Sequence, residues 1–172
     1  TRSFSLRTSN LLNKHHLSKL EFTELMKTDF DFSKIKIGLI ISNFNKEISE
    51  KLKKEVIKEL NRHKIKTNDS DYLIQVSVPG VFEIPQTAYH LLKTNELDVI
   101  ICLGSVIKGE TKHDEYISMA VSNGITQVSI LTDTPIIFGV LTTQNMKQAE
   151  ERISNGSYYA KTALAMAIIN TS

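Results

Sequence analysis

The sequence predicts a three-layer α/β/α sandwich in which a parallel sheet of four strands lies between two layers of helices. Short apolar runs that suit buried strands alternate along the chain with longer segments of helical periodicity. Turn formers such as Pro79-Gly80 separate several of these segments. In addition, 41% of the 172 residues are hydrophobic, which is enough for one compact domain with a full core.

Two strands and two helices are predicted in the first half of the domain. Ile35–Ser42 is an apolar run typical of a strand that is buried on both faces. Lys46–His63 is predicted to be an amphipathic helix because apolar residues recur in it every four positions. Tyr72–Val78 alternates like a second strand. Ile84–Thr94 follows as a helix with a proline in its first turn, where the missing N–H costs little.

The second half continues the alternation. Leu97–Gly104 is the most apolar run and is predicted to be the third strand. A helix is expected over Asp114–Asn123, because Asn123-Gly124 is a common helix stop. The remaining predictions are a fourth strand over Ile125–Thr132, a mixed segment of short extended character over Pro135–Thr142, and helices over Asn145–Ile153 and Tyr158–Asn170.

Residues 1–33 are predicted to be an arm outside the single domain of residues 34–172. The first 20 residues contain four basic side chains and no acidic one, and the chain begins with Thr. Such a composition is typical of the remnant of an organelle transit sequence. The alternatives are a flexible arm and, for residues 21–33, an additional edge strand of the sheet.

Charge and cysteine content exclude several classes of function. Since four of the 21 basic side chains lie in residues 1–20, the rest of the chain carries 17 basic against 19 acidic groups, a balance that does not predict nucleic acid binding. No apolar run is long enough to span a membrane. Cys102 is predicted to be a buried free thiol, and a reducing compartment, cytoplasm or organelle stroma, is expected. The histidines show no metal-ligand spacing, so no metal site is predicted.

The candidate site residues are expected along one edge of the sheet. In open parallel sheets, ligands bind beyond the carboxyl ends of the strands. We expect Phe44, Gly80–Glu83, Gly104–His113 and Phe138 to follow strand ends and therefore to lie along this edge.

Gly104–His113 connects the third strand to a helix start and is predicted to bind an anion. Backbone N–H groups at a helix start carry partial positive charge and can hold a phosphate. Gly109 permits close approach of the backbone, and Thr111 can cap the helix. His113 is expected to stay neutral beside the helix N-terminus and to serve as a base. The same residues also suit a well-capped helix without a ligand.

For the other candidate binding residues, a purely structural role is an alternative to ligand binding. The loop Val78–Pro85 can bind a polar ligand through its backbone and Glu83, or it can be only a rigid turn. Phe44 and Phe138 can stack on a flat ring, or they can be core aromatics. Arg152 can pair with a local acid or cap a helix C-terminus, and its spacing alone does not indicate an anion site.

Taken together, the motifs resemble the lumazine synthase family from about Lys34 to Asn170. Each block of residues is only moderately specific, but four blocks in this order and at this spacing are highly specific. The blocks are Ser42–Asn45, Val78–Pro85, Gly104–His113, and Pro135–Thr143 followed by Gln148–Arg152.

The resemblance implies a reaction and an assembly. It implies condensation of 5-amino-6-(D-ribitylamino)uracil with 3,4-dihydroxy-2-butanone 4-phosphate to 6,7-dimethyl-8-ribityllumazine, a step of riboflavin biosynthesis that releases phosphate and water. It implies a flavodoxin-like fold and no metal or organic cofactor. It also implies that the protein works as a homopentamer or a multiple of pentamers.

The resemblance implies a role for each candidate residue. Phe44 stacks on the pyrimidine, Val81, Phe82 and Glu83 hold the ribityl chain, Val106 and Ile107 contact the uracil through the main chain, and Phe138 of a neighbouring subunit completes the pocket. Gly109, Glu110 and Thr111 hold the phosphate, Arg152 neutralises it, and His113 transfers protons.

Three positions depart from the family pattern. Lys108 stands where Arg is frequent, and Asp114 stands where an aromatic residue usually follows the histidine. The segment Ile153–Lys161 replaces a Gly- and Lys-rich segment that ends in a lysine near the site, so the role of that lysine is not assigned to Lys161. Two rivals stay open: an archaeal-type riboflavin synthase, and a lumazine- or flavin-binding shell protein without catalysis.

Overall fold

The computed structural model describes residues 30–171, and its centre is a sheet of four parallel strands. The strands are β1 (Ile37–Ser42), β2 (Leu73–Val78), β3 (Val99–Ile107) and β4 (Ile136–Thr143), and they lie in the order β2-β1-β3-β4. This order, with helices on both faces, confirms the predicted flavodoxin-like sandwich.

Two helical layers cover the sheet. The helices are α1 (Lys46–Arg62), α2 (Ile84–Thr94), α3 (His113–Thr132), α4 (Met146–Glu150) and α5 (Asn155–Thr171). Helices α1 and α5 pack together on one face, and α2 and α3 pack together on the other. Successive residues of β1 alternate between the two cores: Leu39 faces α1 and α5, and Ile40 faces α2 and α3. Each such buried Leu or Ile contributes about 1.5–3 kcal/mol of transfer free energy.

The predicted fourth strand is wrong. Residues 125–132 continue helix α3, and its buried residues Val121, Ile125 and Val128 follow helical spacing rather than alternation. Gly124 does not stop the helix, and a Cβ atom built there would lie 2.9 Å from the Pro85 ring of α2. Its missing side chain therefore allows α2 and α3 to pack closely. The helix ends instead at Asp133, whose φ of 50° is left-handed.

The described part of the chain contains four strands, the predicted number, but the fourth one is β4, which comprises most of the predicted mixed segment. Strand β3 also extends beyond its predicted end at Gly104 to Ile107, because pairing with β4 continues up to Ile107 opposite Thr143. Cys102 in β3 is a fully buried free thiol, as predicted, and burial raises its pKa.

The first described residues already belong to the core. Phe32, in a short 3₁₀ turn over Phe32–Lys34, is buried and lies edge-on to the ring of His63. The predictions for residues 1–29, including most of the segment proposed as an edge strand, lie outside the described residues. None of the helices within residues 30–171 has the length and apolar character that a membrane crossing requires.

Candidate active site

Three loops meet at the carboxyl ends of the strands. They connect β1 to α1, β2 to α2 and β3 to α3. The strand order reverses between β1 and β3, because β2 lies on one side of β1 whereas β3 and β4 lie on the other. In doubly wound sheets, this topological switch point forms the crevice that binds ligands.

The β1–α1 loop presents an aromatic ring to solvent. Phe44 is 69% exposed, so the alternative of a core aromatic is wrong. The N–H of Asn43 donates to the Val78 carbonyl at the end of β2 (2.8 Å). The side-chain amide of Asn45 donates to the Ser105 carbonyl of β3 (3.0 Å). The residues on either side of Phe44 are therefore fixed to the two strands that flank β1.

The β2–α2 loop is a closed turn. The N–H of Gly80 donates to Oε2 of Glu83 (2.9 Å), which supports the rigid-turn interpretation. A carboxylate can accept several hydrogen bonds, so Glu83 keeps capacity for a ligand. Val81 is buried against Gly104, where an added Cβ would lie 2.4 Å from Val81 Cγ1. Phe82 is 58% exposed and is available to a ligand.

The end of β3 directs backbone groups into the crevice. Residues 104–107 lie within the strand rather than after it, which corrects the predicted position of Val106 and Ile107. The N–H groups of Ile100 and Lys108 donate to the carbonyls of Pro135 and Thr143, on the β4 side. Because backbone direction alternates along a strand, the N–H and C=O groups of even-numbered β3 residues face β4 and those of odd-numbered β3 residues face β1. Pairing with β1 ends at Leu103. The backbone of Ile107 therefore faces the space beyond the end of β1.

The β3–α3 loop is open. Its residues 109–113 are exposed, and a Cβ on Gly109 would meet no atom within 4 Å. Two long hydrogen bonds order it: Gly109 N–H donates to Oδ1 of Asp114 (3.4 Å), and His113 N–H donates to the Thr111 hydroxyl (3.3 Å). Thr111 thus accepts from the first N–H of the helix, although Lys112 and not Thr111 occupies the N-cap position. Backbone N–H groups beside an open space can hold an anion.

Arg152 follows α4, which begins three residues after β4 ends. Its Nη1 donates to the Gln148 carbonyl (2.8 Å) and lies 4.0 Å from Oε2 of Glu151. The local capping role named as an alternative is thus the observed arrangement. Because the side chain is about half exposed, little packing holds it there.

Phe138 does not follow a strand end, and its predicted place on the edge of strand ends is wrong. It is the third residue of β4 and lies opposite Cys102. Thr143 lies five positions further along β4, a distance of about 16 Å. Its ring is 39% exposed and lines a shallow cleft with residues of α3, including Ser122 and Ile130.

The divergent segment after Arg152 serves helix packing. Lys161 Nζ lies 3.8 Å from Oε1 of Glu59 in α1. The Ser157 hydroxyl (2.9 Å) and Arg62 (2.8 Å) also donate to Glu59, which is only 3% exposed. Burial raises the pKa of Glu59, but the hydrogen bonds from Ser157 and Arg62 outweigh it, so the net pKa is lowered.

Comparison with known proteins agrees with the geometry. Residues 34–171 match the family model described as 6,7-dimethyl-8-ribityllumazine synthase. A 6,7-dimethyl-8-ribityllumazine synthase of Parabacteroides distasonis is 36% identical over 156 residues, an alignment that covers 88% of this chain and 93% of that protein. The chain therefore belongs to the 6,7-dimethyl-8-ribityllumazine synthase family and is a condensing enzyme of riboflavin biosynthesis that acts on small molecules.

Proposed function

We propose that the crevice between the carboxyl ends of β1 and β3 is the site where 5-amino-6-(D-ribitylamino)uracil and 3,4-dihydroxy-2-butanone 4-phosphate condense. One observation carries this proposal. The crevice has an exposed aromatic ring, Phe44, on its β1 side and an open helix start, residues 109–113, on its β3 side. A flat pyrimidine and a phosphate can therefore bind next to each other.

The pyrimidine half uses stacking and main-chain hydrogen bonds. Phe44 stacks on the pyrimidine ring, and the backbone of Val106 and Ile107 binds the uracil edge. The direction of the Ile107 backbone, into the space beyond β1, supports this role. Phe82 and Glu83, with the backbone of Val81, contact the ribityl chain. Because Gly80 already holds the Glu83 carboxylate, this group is positioned before the ligand arrives.

The phosphate half uses the open loop. The backbone of Gly109, Glu110 and Thr111 holds the phosphate of the butanone substrate, and the Glu110 side chain is exposed to solvent. Arg152 leaves its contact with Gln148 and pairs with the phosphate. Rotation of a half-exposed arginine is inexpensive, and an arginine–phosphate pair is strong because it is charge-assisted. The same groups stabilise the phosphate as it departs.

The chemistry requires proton transfer rather than a strong nucleophile. An amine of the pyrimidine attacks the ketone carbonyl, and loss of water gives an imine. Elimination then breaks the C–O bond to phosphate, and attack of the second amine closes the ring with loss of another water. His113 accepts and returns protons in these steps. Holding both substrates in one crevice supplies the orientation that the reaction needs.

We also propose that Phe138 of a neighbouring subunit completes each crevice, in a pentamer or a multiple of pentamers. In its own chain, Phe138 lies away from the carboxyl ends of the strands. The adjoining surface of α3 exposes several large apolar side chains, among them Met119 (63%), Ile130 (76%) and Leu131 (76%). An exposed apolar surface beside an edge strand is typical of a subunit interface.

A turnover assay with both substrates tests the proposed reaction. The expected products are 6,7-dimethyl-8-ribityllumazine and one equivalent of orthophosphate. Formation of riboflavin from lumazine alone would favour the riboflavin synthase alternative. Tight lumazine binding without any product at saturating substrate would favour the non-catalytic binder. Native mass in solution tests the assembly, and a fully active monomer would contradict the shared pocket.

A further inference from the structure

Asn45 stands at the start of α1, but its side chain does not cap that helix. Its main-chain carbonyl accepts from Ile48 N–H (3.0 Å) and Ser49 N–H (3.3 Å), whereas its side chain makes no capping hydrogen bond. The amide instead reaches 60 residues along the chain to the Ser105 carbonyl. An asparagine at a helix start ordinarily uses its side-chain oxygen on that helix. The observed direction therefore indicates a different role.

The Asn45 amide donates to β3 at a point where β1 has ended and no longer supplies a backbone N–H group. The last β1 residue paired with β3 is Ile41, opposite Leu103. The next carbonyl of β3 that faces β1 belongs to Ser105, a residue that is only 1% exposed. A buried carbonyl needs a donor, and Asn45 supplies it at 3.0 Å. The loop that carries Phe44 is thereby fastened to β3, two residues before Ile107.

The backbone of Asn45 supports the same geometry. Its φ of 54° and ψ of 45° are left-handed, a conformation that Asn and Gly adopt more readily than other residues. On the other side of Phe44, the N–H of Asn43 is bound to β2. With both neighbours fixed, the backbone of Phe44, and hence the direction of its Cα–Cβ bond, is set before a ligand binds.

We propose that Asn45 is a positioning residue for the pyrimidine substrate, which acts through Phe44 by fastening the β1–α1 loop to β3. This inference rests on the proposed stacking role of Phe44. Loss of the amide is expected to weaken the binding of the ring systems that stack on Phe44. It is expected to leave the use of the phosphate substrate nearly unchanged, since that half of the crevice belongs to another loop.

The test compares Asn45→Gly, Phe44→Ala and the double variant by calorimetric titration with 6,7-dimethyl-8-ribityllumazine. Asn45→Gly keeps the left-handed backbone and removes only the amide. We expect each single variant to bind about tenfold more weakly, and the double variant to bind no more weakly than Phe44→Ala alone. The KM for the butanone phosphate should change less than about twofold in Asn45→Gly.

A control and a second variant complete the design. Lys64 is also left-handed (φ 63°) and lies just beyond the other end of α1, so Lys64→Gly controls for relaxing such a position and should bind lumazine normally. If Asn45→Gly does not fold, Asn45→Asp keeps the size and backbone preference but loses the donor, and it should show the same selective loss.

The outcomes separate the two levels of the proposal. Unchanged binding in Asn45→Gly, or additive losses in the double variant, would overturn the positioning role while leaving Phe44 in place. Equal losses for both substrates would also overturn it. Unchanged binding in Phe44→Ala would instead refute the stacking role on which the inference rests.

Discussion

The two loops on either side of the β1–β3 crevice are built differently. The β1–α1 loop is short, and hydrogen bonds of 2.8 and 3.0 Å fix the residues beside Phe44 to β2 and β3. The β3–α3 loop is longer and exposed, and its contacts at Gly109 and His113 measure 3.4 and 3.3 Å. Long hydrogen bonds in water contribute little. The β1–α1 loop is therefore held by short hydrogen bonds to the sheet, whereas the β3–α3 loop is held only by long and weak ones.

This difference separates two kinds of substitution effect. A change in the β1–α1 loop disturbs packing and stability as well as binding. A change in the open loop alters binding or chemistry with little effect on stability, because few contacts are lost. Substitutions in and around the two loops test this difference.

The largest effect is expected from His113→Ala in the open loop. Loss of the proton-transfer group should lower kcat by roughly a hundredfold. Since His113 is exposed, the midpoint of urea unfolding should not change. His90→Ala, which removes an exposed histidine from α2, is the matched control. An unchanged kcat in His113→Ala would remove this residue from the mechanism.

Arg152→Ala should raise the KM for the butanone phosphate by roughly ten- to hundredfold, the value of a charge-assisted contact. Binding of the product lumazine, which has no phosphate, should change less than about twofold. Steady-state kinetics and calorimetry measure the two quantities, with Lys147→Ala as the control for another cation on α4. An equal loss for both ligands would contradict the assigned role.

Glycine-to-alanine changes at Gly104, which is packed inside β3, and at Gly109, in the open β3–α3 loop, form a matched pair. In Gly104→Ala, the new Cβ would lie 2.4 Å from Val81 Cγ1, so the free energy of unfolding should fall by about 1–3 kcal/mol. In Gly109→Ala, the new Cβ meets nothing within 4 Å, so stability should change by less than about 0.5 kcal/mol. Urea denaturation measures both. Equal destabilisation would show that the second loop is also packed.

The smallest effect is expected from Asp114→Asn. The Asp114 carboxylate contacts the Gly109 N–H and should repel a phosphate there. Its neutralisation should lower the KM for the butanone phosphate by about two- to fivefold, as exposed charges are worth up to about 1 kcal/mol. Glu115→Gln removes the same charge one residue later, without the contact to Gly109, and should have a smaller effect. A higher KM in Asp114→Asn would indicate that the carboxylate orders the loop productively.

Much of the fold could be predicted because its elements carry local signals. The buried strand β1 and the amphipathic helix α1 each show their own periodicity in the sequence. Helix α3 and strand β4 were assigned wrongly because Asn123-Gly124 has the local chemistry of a helix stop. In the folded chain Gly124 instead lies inside α3 and packs closely against Pro85, which is far away in sequence. No local pattern contains that information.

For the candidate site too, some features could be predicted from local sequence and others depend on distant parts of the chain. The residue types of Phe44 and the β3–α3 loop indicate stacking and anion binding without any coordinates, and family resemblance supplies their roles and that of Arg152. The hydrogen bond from the Asn45 amide to Ser105 could not be predicted. A polar residue before a helix is ordinarily explained as a cap of that helix, and Ser105 is 60 residues away in sequence. The position of Phe138 inside β4 likewise depends on where that strand begins.

The contacts of Glu59 with Arg62, Ser157 and Lys161 make the interface between α1 and α5 sensitive to acid. The pKa of Glu59 is below its ordinary value of 4.5, so its ionised form favours folding above pH 4.5, and this contribution disappears as the pH falls through the lowered pKa. Glu59→Gln should therefore be less stable than the parent by about 1–2 kcal/mol near neutral pH. The two should converge in strong acid, where the C-terminal helix is expected to loosen first.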